Sequence, residues 1–334
     1  MEKVILKTLI YANIFGFPLK GYEVLKWLIG RETSLIKLEQ GLNILVKKKK
    51  IQTFKDFYFL KRKKKLIDKR LRRQMISKNL LLKAKILTQV LKIIPWVKLV
   101  GISGGLAVDN CSRKDDIDLF LITDKNRIWL SRFFATVIFD FLRVRRKVNM
   151  KPMQASGKFC FNTILDEEHL EQSFKDSYTA HEVLQMRPLW QKEGIYTKYL
   201  SDNDWAFEYL PNWTSRIKYS KIKKDKGTKV VDLLEIIARW LQIKLMKKST
   251  GLERVEEGGL YFHPLDKRAG ILKEYYKLTK KKAIINTSFN VHNSPIVTSS
   301  SDAITTFIYM GIEDSYLLLN NKLISYQENK DYFN

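Results

Sequence analysis

At 334 residues with 45% hydrophobic side chains, the chain is long enough for two or three packed units and too apolar to be disordered. Its net charge of +26 favours a polyanionic partner such as nucleic acid, nucleotide phosphates or an anionic membrane surface, with a general lysine bias as the alternative. The two cysteines, Cys111 and Cys160, favour neither a disulfide framework nor a zinc site, so a reducing cytoplasm is the expected location.

Residues 1–66 are predicted to form a small helical unit closed by a hairpin. Three segments, VILKTLIYANIF, GYEVLKWLI and SLIKLEQGLNILVKK, place apolar residues at i, i+3 and i+4, as amphipathic helices do. The alternating aromatics of TFKDFYF predict two strands joined by a turn at Lys55 and Asp56. Three helices and a hairpin resemble a winged helix-turn-helix domain, which implies either DNA reading by the third helix or a docking role.

The stretch that follows is a predicted basic helix. Residues 61–94 favour a helix that Pro95 ends, because proline cannot continue the hydrogen-bond ladder. The basic run 47–73 can track the phosphates of a nucleic acid or another polyanion, or it can simply form a solvated charged face.

Two aspartates stand in the middle of an otherwise apolar strand. WVKLVGIS predicts a buried strand, Gly104 and Gly105 predict a turn, and IDLFLIT predicts a second strand. Asp116 and Asp118 lie at i and i+2, so both carboxylates project from one face, a spacing that suits Mg²⁺ or Mn²⁺. The glycines lack Cβ atoms, so their N–H groups and the Ser103 hydroxyl can approach a triphosphate.

A glycine turn followed by Asp-x-Asp resembles the nucleotidyltransferase superfamily that includes DNA polymerase beta and the minimal nucleotidyltransferases. Further stretches, among them KFCFNTILDEEHL and YTAHEVLQMRPLW, extend the resemblance over about residues 1–275. It implies a Mg²⁺-dependent transfer of a nucleotidyl group from an NTP, with Asp116, Asp118 and a third carboxylate as catalytic residues and metal ligands. Asn162 stands where that third carboxylate is expected, which predicts weakened catalysis.

The remaining apolar segments predict helices that pack inside the molecule. WLSRFFATVIFDFL is interrupted by Arg132 and Asp140, so it is expected to be a buried helix rather than a membrane span. VVDLLEIIARWLQIKLMKK is amphipathic with a cationic end. It can pack on the core, cover the nucleotide cleft, dimerise or touch a membrane surface, and core packing is favoured.

Residues 281–324 carry a different pattern. A strand, a polar loop with Asn286 and Asn290, a helix from about Asp302 and a final strand are predicted there. The motif Asn-Thr-Ser-Phe-Asn before Pro-Ile-Val resembles the closing segment of the O-carbamoyltransferases of nodulation-factor and antibiotic tailoring. That resemblance implies a carbamoyltransferase relative, although an appendage packed on the preceding domain has the same pattern.

The sequence therefore predicts a multidomain α/β protein. Its parts are a winged helix-like domain (1–66), a nucleotidyltransferase-like mixed-sheet core (67–190), a helical segment (191–262) and a small C-terminal α/β unit (263–334). The leading functional prediction is a cytoplasmic, Mg²⁺-dependent, NTP-using nucleotidyltransferase. The alternatives are a non-catalytic nucleic-acid-binding or nucleotide-sensing protein and a carbamoyltransferase-related protein; the acceptor and the oligomeric state stay open.

Overall fold

The structure is a computed structural model that describes residues 1–60, 65–147, 150–213, 229–246, 254–262, 316–319 and 322–325. The chain divides into two units, Met1–Ala283 and Ile284–Asn334. The described part mixes helices and sheets, which confirms the α/β class.

Residues 1–60, called the N-terminal unit below although they belong to the larger unit Met1–Ala283, have the predicted order of three helices and a hairpin. The elements of this unit are α1 (Glu2–Ile14), β1 (Leu19–Lys20), α2 (Gly21–Lys26), α3 (Leu35–Lys47), β2 (Ile51–Phe54) and β3 (Phe57–Leu60), with the strands in the order β1-β3-β2. The turn lies at Lys55 and Asp56, as predicted, and both have positive φ, of 49° and 60°. Such values suit a tight hairpin turn, whose twist matches that of the strands. The winged-helix identity itself stays a prediction.

A six-stranded sheet forms the centre of the larger unit. Its elements follow in the order α4 (Lys65–Leu87), a 3₁₀ turn (Thr88–Ile93), β4 (Val97–Ile102), α5 (Gly104–Ala107), β5 (Ile117–Thr123), α6 (Ile128–Phe141), α7 (Pro152–Ala155), β6 (Phe159–Asp166), α8 (Ser177–Gln185), β7 (Arg187–Gln191), α9 (Ile195–Asp202), α10 (Ala206–Tyr209), α11 (Lys229–Met246), β8 (Arg254–Glu256) and β9 (Gly259–Tyr261). The strand order is β7-β4-β5-β6-β9-β8, with β5 and β6 parallel and the other pairs antiparallel.

Both faces of this sheet are covered, which explains why most side chains of its central strands are apolar. Ala84 from α4 and Phe139 from α6 pack on one face, together with Leu119 and Leu121 of β5. Helices α8, α9 and α10 pack on the other face through a second cluster that includes Phe120 and Tyr199. A strand buried on both sides favours apolar residues, and polar side chains in the central strands, among them Lys98, Asp118 and Asn162, are exceptions.

Helix α6 is less buried than predicted, whereas α11 packs on the core as predicted. Helix α6 buries Trp129 and Phe139 but exposes Phe133, Phe134 and Phe141. The expectation of a buried helix therefore holds for one side of α6 only, the side that packs in the core. Helix α11 does pack on the core, yet its contact with α6 uses polar residues and leaves its largest apolar side chains exposed.

The C-terminal unit is described only at β10 (Tyr316–Leu319) and β11 (Lys322–Ser325), which form an antiparallel hairpin. The strand, polar loop and helix predicted for residues 281–315 lie outside the described residues. Within the part of the chain that the structure describes, no helix is long and apolar enough to cross a membrane.

Candidate functional site

The predicted glycine turn follows β4 directly and lies against β5. The backbone N–H of Ser103 donates to the carbonyl of Asp118 at 3.0 Å, which ties the start of the turn to the second strand. Gly104 has φ +61°, a left-handed conformation that L side chains rarely adopt. A Cβ at Gly104 would lie 2.7 Å from Oδ2 of Asp118, so the close approach of turn and carboxylate requires glycine.

The structure brings the two predicted aspartates together and adds a third group that the sequence analysis missed. Ligand atoms of Asp116, Asp118 and Cys160 all lie within 4.8 Å of one another. Cys160 is there because β5 and β6 run parallel with Asp118 opposite Cys160. A metal ion can therefore reach two carboxylate oxygens and one sulfur.

Asn162 lies on β6, the strand next to β5 on which the third ligand was expected. It is buried, and its amide donates to the Ser103 hydroxyl at 2.7 Å, so it fixes the glycine turn and uses the predicted phosphate donor Ser103 as its acceptor. Asp166 lies at the far end of β6, where its carboxylate contacts His169 at 2.7 Å. Neither residue supplies a third carboxylate beside Asp116 and Asp118.

The electrostatics of the cluster are those of a half-buried anionic site. Burial and the neighbouring Asp118 raise the pKa of Asp116, although the Arg146 guanidinium, 2.6 Å from its Oδ2, acts in the opposite direction. Burial, Asp118 and Asp116 together raise the pKa of the Cys160 thiol to about 12. The thiol is thus neutral at pH 7 unless a cation displaces its proton.

A pocket of about 390 Å³ opens beside the carboxylates. The glycine turn and the aspartates form one wall, and the N-terminal unit supplies an aromatic wall through Tyr11, Phe15 and Trp27. Its charged lining residues are one cation and four carboxylates: Arg73, Asp115, Asp116, Asp118 and Glu182. The pocket is therefore acidic in a chain whose net charge is +26.

His181 completes the pocket from helix α8. Its ring stacks on Tyr11 at 4.1 Å and faces Trp27 at 5.7 Å between ring centroids. Burial lowers its pKa to about 4, so the ring is neutral at pH 7. Nδ1 lies 2.6 Å from the Ser177 carbonyl and must donate to it, which leaves Nε2 as a hydrogen-bond acceptor.

Four of the residues around this site were not predicted as site residues. The aromatic wall comes from Tyr11 and Trp27, which lie far before the aspartates in the sequence, and no local motif links them. Arg146 lies in a basic stretch in which no single cation stands out. Cys160 has the clearest signal, since it lies two residues before Asn162 on the strand where a third ligand was expected.

Comparison with known proteins finds a match at the C-terminal end of the chain. Residues 265–326 match the family model described as "Carbamoyltransferase C-terminus", which covers less than a fifth of the 334 residues. The searches of curated proteins and of solved structures gave no significant match. The predicted carbamoyltransferase-like C-terminal segment is confirmed.

The prediction that the enzyme is a nucleotidyltransferase is wrong, because the matching family is that of the carbamoyltransferases. The site itself offers a physical reason for the error. Asp-x-Asp after a glycine turn describes only two ligands, whereas the third group beside them is the thiol of Cys160 and not a carboxylate.

Proposed function

We propose that the chain is a carbamoyltransferase-related transferase that uses a phosphate-bearing carbamoyl donor. The match of residues 265–326 carries this proposal. The motif Asn-Thr-Ser-Phe-Asn at 286–290, which resembles the closing segment of the O-carbamoyltransferases, lies inside the matched range. We propose further that the pocket beside Asp116 and Asp118 binds the donor, through the following steps.

An acidic pocket does not accept a phosphate unless a cation comes with it. Like charges at close range repel strongly in a half-buried site, and the lining holds four carboxylates and one arginine. The side chains of Asp116 and Asp118 suit Mg²⁺ or Mn²⁺, which take one or two carboxylates and complete their shells with water and substrate oxygens. A cation bound there would neutralise the charge on the phosphate.

The residues present fit such an ion with one condition. Arg146 holds Oδ2 of Asp116 at 2.6 Å, so an ion must use the other oxygen of Asp116 or displace the guanidinium. Asp118 is held in place by its backbone bond to Ser103, and Gly104 leaves room beside its carboxylate. Oxygen donors on both aspartates make the set suitable for a hard cation.

The reaction needs few further groups from the protein. As the oxygen or nitrogen of an acceptor bonds to the carbonyl carbon of carbamoyl phosphate, the bond from that carbon to the phosphate oxygen breaks. The phosphate leaves with the electron pair, and the acceptor loses its proton to a base. The neutral ring of His181 in the pocket wall is the group that can accept this proton. Arg146 provides a fixed positive charge next to Asp116.

In this proposal the N-terminal unit forms one wall of the donor pocket. We propose that it is a winged helix-like module whose aromatic side chains, among them Tyr11 and Trp27, close the pocket. The buried Arg70 supports this role, because it bonds the carbonyls of Val108 and Asp109 as well as Glu23 of α2.

Calorimetric titration of the full chain tests the donor site. We expect Mn²⁺ to bind the parent protein and carbamoyl phosphate to bind only when Mn²⁺ is present, and Asp118→Asn to abolish both. Asp202→Asn is the matched control, since Asp202 pairs with Lys198 in α9, outside the pocket lining. Equal heats for Asp118→Asn and the parent would exclude the donor site.

A second assay tests the transfer itself. Release of phosphate from carbamoyl phosphate, followed with a panel of hydroxyl and amine acceptors, should depend on both Asp118 and Asn286, which lies in the matched segment. Asn329→Ala, beyond the matched segment, serves as the control there. No release above the uncatalysed rate with any acceptor would refute a carbamoyl transfer function.

A further inference from the structure

Helices α6 and α11 pack against each other through polar groups. The carboxylate of Glu235 accepts from the backbone N–H groups of Trp129 and Leu130 at 2.7 and 2.9 Å and so caps the start of α6. Gln242 donates to the Trp129 carbonyl at 2.8 Å. Both side chains are buried beside Ala238, so the side of α11 that faces the protein includes these polar groups together with apolar ones.

The opposite sides of the two helices are exposed and apolar. The relative exposure is 85% for Phe141, 69% for Leu245, 64% for Ile236 and 60% for Trp240, and Phe133 is also exposed. Single exposed apolar residues are ordinary, whereas an exposed row on two adjacent helices indicates an interaction surface. These outward sides of α6 and α11 are called the α6–α11 face below.

Positive charge borders the α6–α11 face. Arg239 and Lys244 are exposed on α11, and Arg143 and Lys147 are exposed just after α6. The acidic side chains that remain partly exposed on the two helices are already paired. Asp140 lies 2.8 Å from Arg145, and Asp232 lies 2.7 Å from Arg127. The border of the face is therefore cationic.

We propose that the α6–α11 face binds the surface of an anionic lipid bilayer. A helix with a large apolar side that includes Trp, bordered by Lys and Arg, lies in the interface between headgroups and acyl chains. Anionic headgroups attract the basic border, and the apolar side chains then enter the boundary region. No helix in the described residues can span a membrane, so the contact is a peripheral one.

Charge decides between a bilayer and a second copy of the chain. Two copies joined through the α6–α11 face would bring two cationic borders together, in a chain that already carries +26. An anionic bilayer removes the same apolar area from water and gains electrostatic attraction at its border. This proposal does not depend on the carbamoyl transfer function.

Vesicle co-sedimentation of the full chain tests the proposal. We expect binding to phosphatidylcholine vesicles that contain about a third phosphatidylglycerol, weaker binding without the anionic lipid, and weakening with salt. The double variant Ile236→Gln/Trp240→Gln should bind at least about tenfold more weakly, because two large side chains no longer leave water. Ile36→Gln in α3 is the control, since Ile36 is 69% exposed and lies on another element.

Three outcomes would overturn the proposal. Failure of the parent protein to sediment with the anionic vesicles would exclude a membrane-binding face. Equal binding of Ile236→Gln/Trp240→Gln and the parent would show that net charge alone causes the binding. A concentration-dependent dimer that the double variant abolishes, without any lipid effect, would assign the α6–α11 face to a second copy of the chain.

Discussion

Comparing Gly104→Ala with Gly105→Ala should show whether the backbone geometry at Gly104 positions the Asp118 carboxylate. Gly104 has φ +61°, whereas the adjacent Gly105 has no positive φ, and both open the short helix α5. A Cβ at Gly104 would lie 2.7 Å from Oδ2 of Asp118, but one at Gly105 would meet its nearest atom, the carbonyl oxygen of Asn110, at 3.6 Å. Gly104→Ala and Gly105→Ala are therefore a matched pair that differ in one contact and one dihedral angle.

The size of the effect follows from these two differences. A left-handed conformation costs an L residue about 1–2 kcal/mol, of which about 0.4–1 kcal/mol is offset by the lower entropy of the unfolded chain. Gly104→Ala should thus lower the free energy of unfolding by about 1 kcal/mol. Gly105→Ala should leave it unchanged or raise it by about 0.5 kcal/mol. Displacing the Asp118 carboxylate should weaken Mn²⁺ binding about 10- to 100-fold in Gly104→Ala alone.

Urea unfolding measures the first effect and calorimetric titration with Mn²⁺ measures the second. If Gly104→Ala and Gly105→Ala bind Mn²⁺ equally well, then Asp118 is not a ligand that the turn positions, and the reasoning about the pocket fails. If Gly104→Ala lowers the free energy of unfolding but leaves the Mn²⁺ affinity unchanged, Asp118 is likewise not a ligand that the turn positions.

Three further predictions concern the pocket and the core. The pKa of His181 is about 4 in the folded chain against 6.5 for a free imidazole, so the unfolded chain takes up the proton first as pH falls. About 3 kcal/mol of the free energy of unfolding should therefore be lost between pH 6.5 and 4. In urea unfolding, His181→Gln should remove this part of the pH dependence of stability. Lys98 contacts three carboxylates within 3.2 Å with 6% of its side chain exposed, so Lys98→Met should cost about 3–5 kcal/mol in urea unfolding, whereas Lys125→Met, at an exposed pair, should change stability little. Co²⁺ bound beside Asp118 should show a near-ultraviolet sulfur charge-transfer band that Cys160→Ser abolishes and Cys111→Ser keeps; a band that survives in Cys160→Ser would exclude the thiol as a ligand.

The local parts of the fold were predictable because their signals are local. The hairpin turn at Lys55 and Asp56 follows from alternating aromatics around two residues that tolerate turns. The two central strands follow from apolar runs that only Lys98 and Asp118 interrupt, and the glycine pair marks the end of the first. Asp118 lies in β5 and Asp116 is the residue just before that strand, so the two aspartates flank the start of β5 and do not lie in the middle of a strand as expected. Their proximity follows from the i, i+2 spacing in the sequence.

What the sequence did not predict depends on pairings between distant segments. Cys160 reaches the carboxylates through a parallel register that shifts between Leu119 and Phe120, and no sequence signal marks such a shift. Which side of α11 faces the protein was not predicted either, for a related reason. Glu235 is buried because two backbone N–H groups at the start of α6 bind it, and hydrophobic periodicity carries no information about such caps.

The charge of the pocket connects the site to the rest of the molecule. A chain with +26 attracts anions over its whole surface, yet the lining of its pocket carries four carboxylates against one arginine. Long-range attraction therefore brings anionic molecules to the protein without allowing them into this pocket by themselves. A divalent cation bound by Asp116 and Asp118 would offset the charge of those two carboxylates, so under the proposed function the binding of the ion and of a phosphate would favour each other by the same factor. The two aspartates would then control whether a phosphate-bearing donor enters the pocket.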